Sequence, residues 1–149
     1  MFLIIFLKQK SRIGLTYANI ELLNGDDLTD ARRGRIGEDE VRQMTVRTLV
    51  DTGSVMLCLN ETIKDALGLE VIGTRRSQLA NGLLLQLDIV GPVTVRFLDR
   101  DCSTRALVLP DDQEPLLGAI PMEEMDLYVN LGRNELLPIH ADGPIMSLR

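Results

Sequence analysis

The stretch LVDTGS, residues 49–54, decides the interpretation of this chain. It places the carboxylate of Asp51 in a tight turn between two apolar segments, residues 41–50 and 55–59. Because burying an aspartate without hydrogen-bond partners is costly, the turn itself has to supply donors. The hydroxyl group of Thr52 and the backbone N–H groups of the small residues that follow can do so. The pattern predicts a carboxylate held rigidly at the floor of a cleft.

Strand signals lie on both sides of this turn. Apolar and β-branched residues predict strands at residues 14–23, 41–50, 74–79, 83–90 and 106–109. The dipeptide Asn81-Gly82 separates two of them, and Asn-Gly between extended segments is the typical signal of a β-hairpin. A break is predicted at Gly91-Pro92.

Helix signals are few. Asn60 as N-cap and Gly68 just past the end predict a helix over residues 61–67. Pro121 suits the first turn of a second helix, over residues 122–125. The polar stretch 24–40 is predicted to be a long surface loop. The chain is therefore predicted to be mainly β, with two short helices.

Composition limits the function classes. The 149 residues fit one domain, and a net charge of -6 disfavours general nucleic-acid binding. One histidine and two cysteines argue against a structural zinc site and against a Ser/His or Cys/His hydrolase. Cys58 and Cys102 are predicted to be buried free thiols, and His140 to be exposed or hydrogen-bonded rather than catalytic.

The apolar residues 1–7 are too short to span a bilayer, which needs about 20 residues. Lysines follow this run rather than precede it, so it is not predicted to be a signal peptide. An edge strand, an interface segment or an extension from a misplaced start codon stay open for it. We expect a cytoplasmic protein with no membrane partner.

The order of these elements resembles the retropepsin-like aspartic proteases, and in particular their small stand-alone microbial members. In that family an Asp-Thr-Gly turn is followed by a β-hairpin flap, and an apolar pair plus glycine later crosses near the turn before a short helix. Asp51-Thr52-Gly53, the hairpin at 79–83 and Leu116-Leu117-Gly118 match these three elements. The resemblance covers roughly residues 14–139, including the run from residue 107 to residue 123.

The resemblance implies an all-β, closed β-barrel-like retropepsin fold with one lobe per chain. It divides the chain into an N-terminal extension at residues 1–13, a protease domain at 14–140 and a tail at 141–149. Since the family needs two carboxylates and this chain has a single Asp-Thr-Gly, it also implies a homodimer that hydrolyses peptides or proteins without metal or cofactor. The terminal strands, residues 14–23 and 135–139, are the expected interface.

The resemblance also assigns roles within the site. Asp51, Thr52 and Gly53 form the catalytic turn, with Asp51 from each subunit activating a water and Thr52 bracing the two turns across the dimer axis. Ser54 and the flap-tip residues Ala80, Asn81 and Gly82 are expected to contact substrate. A Ser54 hydroxyl group that donates to Asp51 would stabilise the ionised carboxylate and extend activity into acid.

Two alternatives remain at this point. The first is a non-catalytic dimerisation or peptide-binding module with the same fold, since a fold does not determine function. The second is an unrelated small β-barrel in which three family-like elements coincide. The intact Asp51-Thr52-Gly53 favours the enzyme, because a binding module need not keep that carboxylate.

Overall fold

The computed structural model describes residues 14–78 and 82–148, so the predicted extension at residues 1–13 lies outside the described residues. Its strands are β1 (Tyr17–Asn24), β2 (Gln43–Val50), β3 (Leu57–Asn60), β4 (Val71–Gln78), β5 (Leu84–Phe97), β6 (Arg100–Leu109), β7 (Leu116–Leu117), β8 (Leu127–Asn130) and β9 (Glu135–Pro138). Its helices are α1 (Gly25–Arg32), α2 (Glu61–Leu67) and α3 (Ala119–Glu124), with a 3-10 turn at Glu38–Glu40. Strands hold 47% and helices 18% of the described residues, which confirms a mainly β chain.

Six strands form a ring-like sheet. The order is β1-β2-β7-β3-β6-β5, and β5 returns to pair with β1, while β4 adds to β5 as a hairpin. From Glu21 to Leu23, β1 is hydrogen-bonded to β2 on one side and β5 on the other. The second half of β1 therefore has no free edge. Within the expected interface at residues 14–23, strand pairing with another chain is limited to the residues before Glu21. Strands β8 and β9 form a separate two-stranded sheet.

The strands bury aliphatic side chains on both of their faces. Alternate residues send Leu57, Leu59 and Leu117 to the main core and their neighbours Cys58 and Leu116 to the opposite face. We call the group on that opposite face the outer cluster. It consists of Leu49, Met56, Cys58, Ile89, Leu107, Leu109 and Leu116. Both faces of the strands around Asp51 are thus packed, and this packing fixes their backbone.

The predicted loop at residues 24–40 is wrong in its first half, which forms α1. The side chain of Asn24 accepts a hydrogen bond from the N–H group of Asp27, and Asp26 and Asp27 place negative charge in the first turn. Gly25 and the two aspartates suggested a turn, although the same residues are an N-terminal helix signal. The described part of the chain therefore has three α-helices rather than two.

The two predicted helices are present. In α2, the side chain of Asn60 accepts from the N–H group of Ile63, and Gly68 closes the helix in the left-handed region at φ +62°. Helix α3 begins at Ala119, three residues before the predicted start, so Pro121 lies inside its first turn. The predicted break at Gly91-Pro92 is an irregularity in register within β5, which continues to Phe97.

A buried arginine connects β6 to the end of α3 and to the tail. The Arg100 side chain is fully buried, and its guanidinium group donates to the backbone carbonyls of Met125, Asp126 and His140. The carboxylate of Asp126 lies 2.6 Å from Nδ1 of His140 and accepts from the N–H group of Ile145. His140 is hydrogen-bonded, as one of the two predicted alternatives has it.

Acid should loosen this cluster. The hydrogen bond from His140 holds the pKa of Asp126 below its usual range, so Asp126 stabilises the fold at neutral pH. The pKa of Asp126 is lower in the folded chain than in the unfolded chain, where it is about 4. The ionised carboxylate therefore stabilises the fold fully above about pH 4, and this contribution is lost as the pH falls below that value. We expect Asp126→Asn to lower the urea midpoint at pH 6 and to approach the wild type at pH 3. The control Asp99→Asn removes an exposed partner of Arg100 and should show little change at either pH.

Candidate active site

The Asp51 turn is held by its own backbone and by β7. Asp51 is only 8% exposed, and its N–H group donates to the carbonyl oxygen of Leu117 at 3.0 Å. The N–H group of Gly53 donates to Oδ1 of Asp51 at 2.9 Å, and the N–H group of Ser54 donates to the Asp51 carbonyl at 3.1 Å. The predicted backbone donor to the carboxylate is therefore present, and it holds one oxygen of that carboxylate in place.

Strand β7 lies between the strand that enters this turn and the strand that leaves it. It runs parallel to β2, with Leu116 opposite Leu49, and antiparallel to β3, with Leu116 opposite Cys58. Beyond β7, the N–H group of Ala119 donates to the carbonyl of Ser54 at 2.7 Å. The prediction that residues 116–118 cross beside the Asp51 turn is confirmed. Hydrogen bonds at Asp51 and at Ser54 thus attach both ends of the turn to residues 117–119.

Gly118 belongs to the element that the sequence matched to the family, but the sequence did not reveal the steric reason for a glycine there. A Cβ atom at this position would lie 2.3 Å from the carbonyl oxygen of Met56 and 2.7 Å from that of Ser54. Its φ of -92° is open to any residue, so the requirement for glycine is steric and not conformational. The only signal in the sequence is a glycine placed between a buried apolar pair and a helix.

The surface beside the turn is open in the single chain. Thr52 and Gly53 are exposed, although they flank a buried carboxylate. Val55 is 51% exposed and Ile120 is 45% exposed, and the N–H group of Ile120 donates to the Val55 carbonyl. The buried Asp51 is therefore bordered by a partly apolar surface that a peptide or another protein chain could cover.

The Ser54 hydroxyl group does not make the predicted contact. Its side chain is 1% exposed, and its hydroxyl group donates to the carbonyl of Met56 at 3.2 Å and lies 3.7 Å from the thiol of Cys58. The resemblance led us to expect that the hydroxyl group points to the Asp51 carboxylate, whereas the turn directs it toward β3. In this structure the Ser54 hydroxyl group therefore makes a structural contact and not the expected one to Asp51, and the assignment of Ser54 to substrate binding stays a prediction.

This placement changes the expected effect of Ser54→Ala. Because the hydroxyl group donates to a backbone carbonyl, its loss should lower the free energy of unfolding by about 1 kcal/mol. The acidic limb of any pH–rate profile should stay in place. Urea unfolding and a pH–rate profile of the same preparation measure the two effects. A shifted acidic limb would restore the original assignment to Asp51.

The predicted hairpin after the turn is present, but its tip lies partly outside the described residues. Strands β4 and β5 pair from Thr74 opposite Asp88 to Gln78 opposite Leu84. Ala80 and Asn81 are not among the described residues, whereas Gly82 is exposed with φ +85°. The structure thus shows the arms of the hairpin but not the residues predicted to contact substrate at its tip, apart from Gly82.

The two cysteines are free and buried, as predicted. Loss of solvent raises the pKa of the Cys58 thiol to about 11, and burial likewise raises the pKa of Cys102 to about 12. Because the nucleophilic form of cysteine is the thiolate, neither residue is suited to attack a substrate at neutral pH. Within residues 14–78 and 82–148, no group of three or more His, Cys, Asp and Glu residues could hold a metal ion.

Comparisons with known proteins add no assignment. No protein-family model matches the chain, and no curated protein matches it significantly. In the part of the chain that the structure describes, no helix has the length and apolar character needed to cross a membrane.

Proposed function

We propose that this chain is a retropepsin-like aspartic endopeptidase that acts as a homodimer. Each chain would contribute one Asp51, and the two carboxylates would activate a water molecule for attack on a peptide bond. The proposal includes the finer fold assignment, in which the ring-like sheet is the single lobe of a retropepsin-like subunit.

One observation carries the proposal: β7 passes between the two strands that flank Asp51 and anchors the Asp-Thr-Gly turn. An ordinary surface turn does not need this anchoring, since exposed turns satisfy their backbone groups with water. Here the carboxylate is buried and receives a hydrogen bond at 2.9 Å from Gly53. Rigid placement of a carboxylate is what acid–base chemistry requires, because a small displacement of a catalytic group is costly.

The chemistry requires a second carboxylate. Two carboxylates that share a site do not both ionise readily, so the pair holds one proton between them. The ionised member removes a proton from water, and the protonated member donates to the carbonyl oxygen of the scissile bond. The water oxygen adds to the carbonyl carbon and gives a tetrahedral diol. The C–N bond then breaks as the carboxyl group that took the proton from water passes it to the nitrogen, and one diol hydroxyl group returns its proton to the other carboxylate. The chain has one Asp-Thr-Gly, so a second copy would provide the partner.

The exposed residues beside Asp51 support that arrangement. Thr52 and Gly53 lie at the surface of the single chain, where a second turn related by a two-fold axis could meet them. The Thr52 hydroxyl group could then bond to the partner turn. Val55 and Ile120 add apolar area beside the turn, which a second chain or a bound peptide would remove from water.

The test measures cleavage and assembly together. The purified full chain is incubated with a mixed peptide library from pH 3.5 to pH 7.5, and products are identified by mass spectrometry. Light scattering gives the mass at each protein concentration. We expect internal cleavage of extended peptides, with an activity per chain that rises with concentration until the mass reaches that of a dimer.

Each outcome has a distinct meaning. A chain that remains monomeric at the concentration of full activity would contradict the shared site. A stable dimer that binds peptides but cleaves none would favour the binding-module alternative. Cleavage that is lost when metal is chelated would contradict a mechanism that uses carboxylates and water alone.

A further inference from the structure

The hairpin of β4 and β5 presents two different faces. Cross-strand pairing places Arg75 opposite Leu87 and Ser77 opposite Leu85. Because directly opposed residues of antiparallel strands point to the same side, these four residues share one face. Arg76 lies between Arg75 and Ser77 in the sequence and therefore points to the other face.

The face with Arg75 and Ser77 is directed toward the Asp51 turn. Leu87 packs against the outer cluster, and Ile89, two residues further on the same face, belongs to it. The outer cluster also contains Leu49 and Met56, which lie two and five residues from Asp51. We call this side of the hairpin the cleft face. Any peptide bound between the hairpin and the turn would meet it.

Ser77 is a buried polar residue on the cleft face whose hydroxyl group makes no hydrogen bond to any described residue. The residue is 4% exposed, and its hydroxyl oxygen is inaccessible. Buried hydroxyl groups are nearly always hydrogen-bonded, because leaving one unsatisfied is costly. No described residue satisfies this hydroxyl group, so it could donate to a ligand that enters the cleft and displaces the atoms that cover it.

Arg75 provides a positive charge two residues away on the same face. It is exposed, and among the described residues no carboxylate lies within 4.0 Å of it. Residues i and i+2 of a strand are about 6.6 Å apart, a distance that a carboxylate can bridge between a long guanidinium side chain and a short hydroxyl side chain. Arginine is well suited to bind a planar carboxylate with two parallel hydrogen bonds.

We propose that Arg75 and Ser77 form a subsite that binds an acidic side chain of the peptide substrate. The proposal rests on the proposed peptidase function and adds a substrate class to it. The guanidinium group of Arg75 binds one edge of the substrate carboxylate, and the hydroxyl group of Ser77 donates to it. Glutamate and aspartate are thereby preferred at one position near the scissile bond, and lysine is disfavoured there.

The experiment compares peptides that differ only at that position. Library profiling identifies the position, and three peptides then carry Glu, Gln or Lys there. We expect the wild type to cleave the Glu peptide with a kcat/KM at least about tenfold above the Gln peptide, the effect of one charge-assisted hydrogen bond. Arg75→Gln should remove the preference, Arg75→Glu should reverse it toward Lys, and Ser77→Ala should reduce it.

Arg76→Glu is the matched control, since it introduces the same charge change at the neighbouring residue on the opposite face. It should keep the preference for Glu. The same peptides are also bound to Asp51→Asn and measured by fluorescence anisotropy, so that recognition is tested without cleavage. Circular dichroism and urea unfolding verify that the variants are folded.

The arms separate this proposal from the peptidase function. Active wild type with equal kcat/KM for the Glu and Lys peptides overturns the subsite and leaves the peptidase. Equal loss of preference in Arg75→Glu and Arg76→Glu also overturns the subsite, because the preference then depends on the total charge of the hairpin and not on Arg75. Absence of cleavage overturns the peptidase function. The subsite then stands only if Asp51→Asn binds the Glu peptide more tightly than the Lys peptide and Arg75→Glu reverses that order.

Discussion

Asp51→Asn is expected to reduce peptide cleavage at least about a thousandfold while the fold and the dimer persist. Asparagine has nearly the shape of aspartate, and its side-chain oxygen can still accept the hydrogen bond from the Gly53 N–H group. It cannot remove a proton from water, so the paired chemistry fails. The measurement is kcat/KM on a peptide that the wild type cleaves, with light scattering and urea unfolding of the same preparations.

Mixing the two forms tests whether one site uses two chains. If wild type and Asp51→Asn exchange subunits at equal amounts, about a quarter of the dimers carry two aspartates, whereas half of all chains remain wild type. Activity per wild-type chain should therefore fall by about half. Activity that stays proportional to the amount of wild type would show that each chain works alone. Thr62→Ala, which alters an exposed side chain on α2, is the control protein for mixing.

The Asp51 turn was predictable from the sequence because its signals are local. An aspartate after an apolar run and before two small residues defines the turn, and Gly53 donates to Asp51 as expected. The helix at residues 61–67 was predictable for the same reason, since Asn60 and Gly68 cap it. In each case, the residues that determine the structure are neighbours in the chain.

The features that were missed or misassigned depend on residues far apart in the chain or on competing local preferences. The direction of the Ser54 hydroxyl group depends on the path of β3 toward Met56, which no turn rule specifies. The glycine requirement at Gly118 arises from the backbone of residues 54–56, more than 60 positions earlier. Helix α1 was mistaken for a loop because aspartate and glycine favour turns as well as helix N-termini.

The subsite on β4 depends on both kinds of information. Alternation along a strand places Arg75 and Ser77 on one face, and this pattern is visible in the sequence once the strand is known. Which face is directed toward Asp51 is decided by the packing of Leu87 and Ile89 against the outer cluster. Without the register of β4 and β5, the sequence therefore does not show which of Arg75 and Arg76 faces the Asp51 turn.

Gly118→Ala is expected to destabilise the fold strongly, although it adds only one methyl group. Its added Cβ atom would lie 2.3 Å from one backbone oxygen and 2.7 Å from another, and neither can move aside as a flexible side chain can. The backbone of β7 or of residues 54–56 would have to shift, which would weaken the 2.7 Å hydrogen bond from Ala119 to Ser54. We expect the free energy of unfolding to fall by about 3 kcal/mol or more.

Gly73→Ala is the matched control, because a Cβ atom at Gly73 would meet nothing within 4 Å. It should change the free energy of unfolding by less than about 1 kcal/mol. Urea unfolding of both variants compares them directly, and cleavage by the fraction of Gly118→Ala that remains folded tests the site itself. If that fraction cleaves as fast as the wild type, the anchoring by β7 stabilises the fold without positioning Asp51. If that folded fraction cleaves more slowly than the wild type, the same contact stabilises the chain and orients the carboxylate of Asp51.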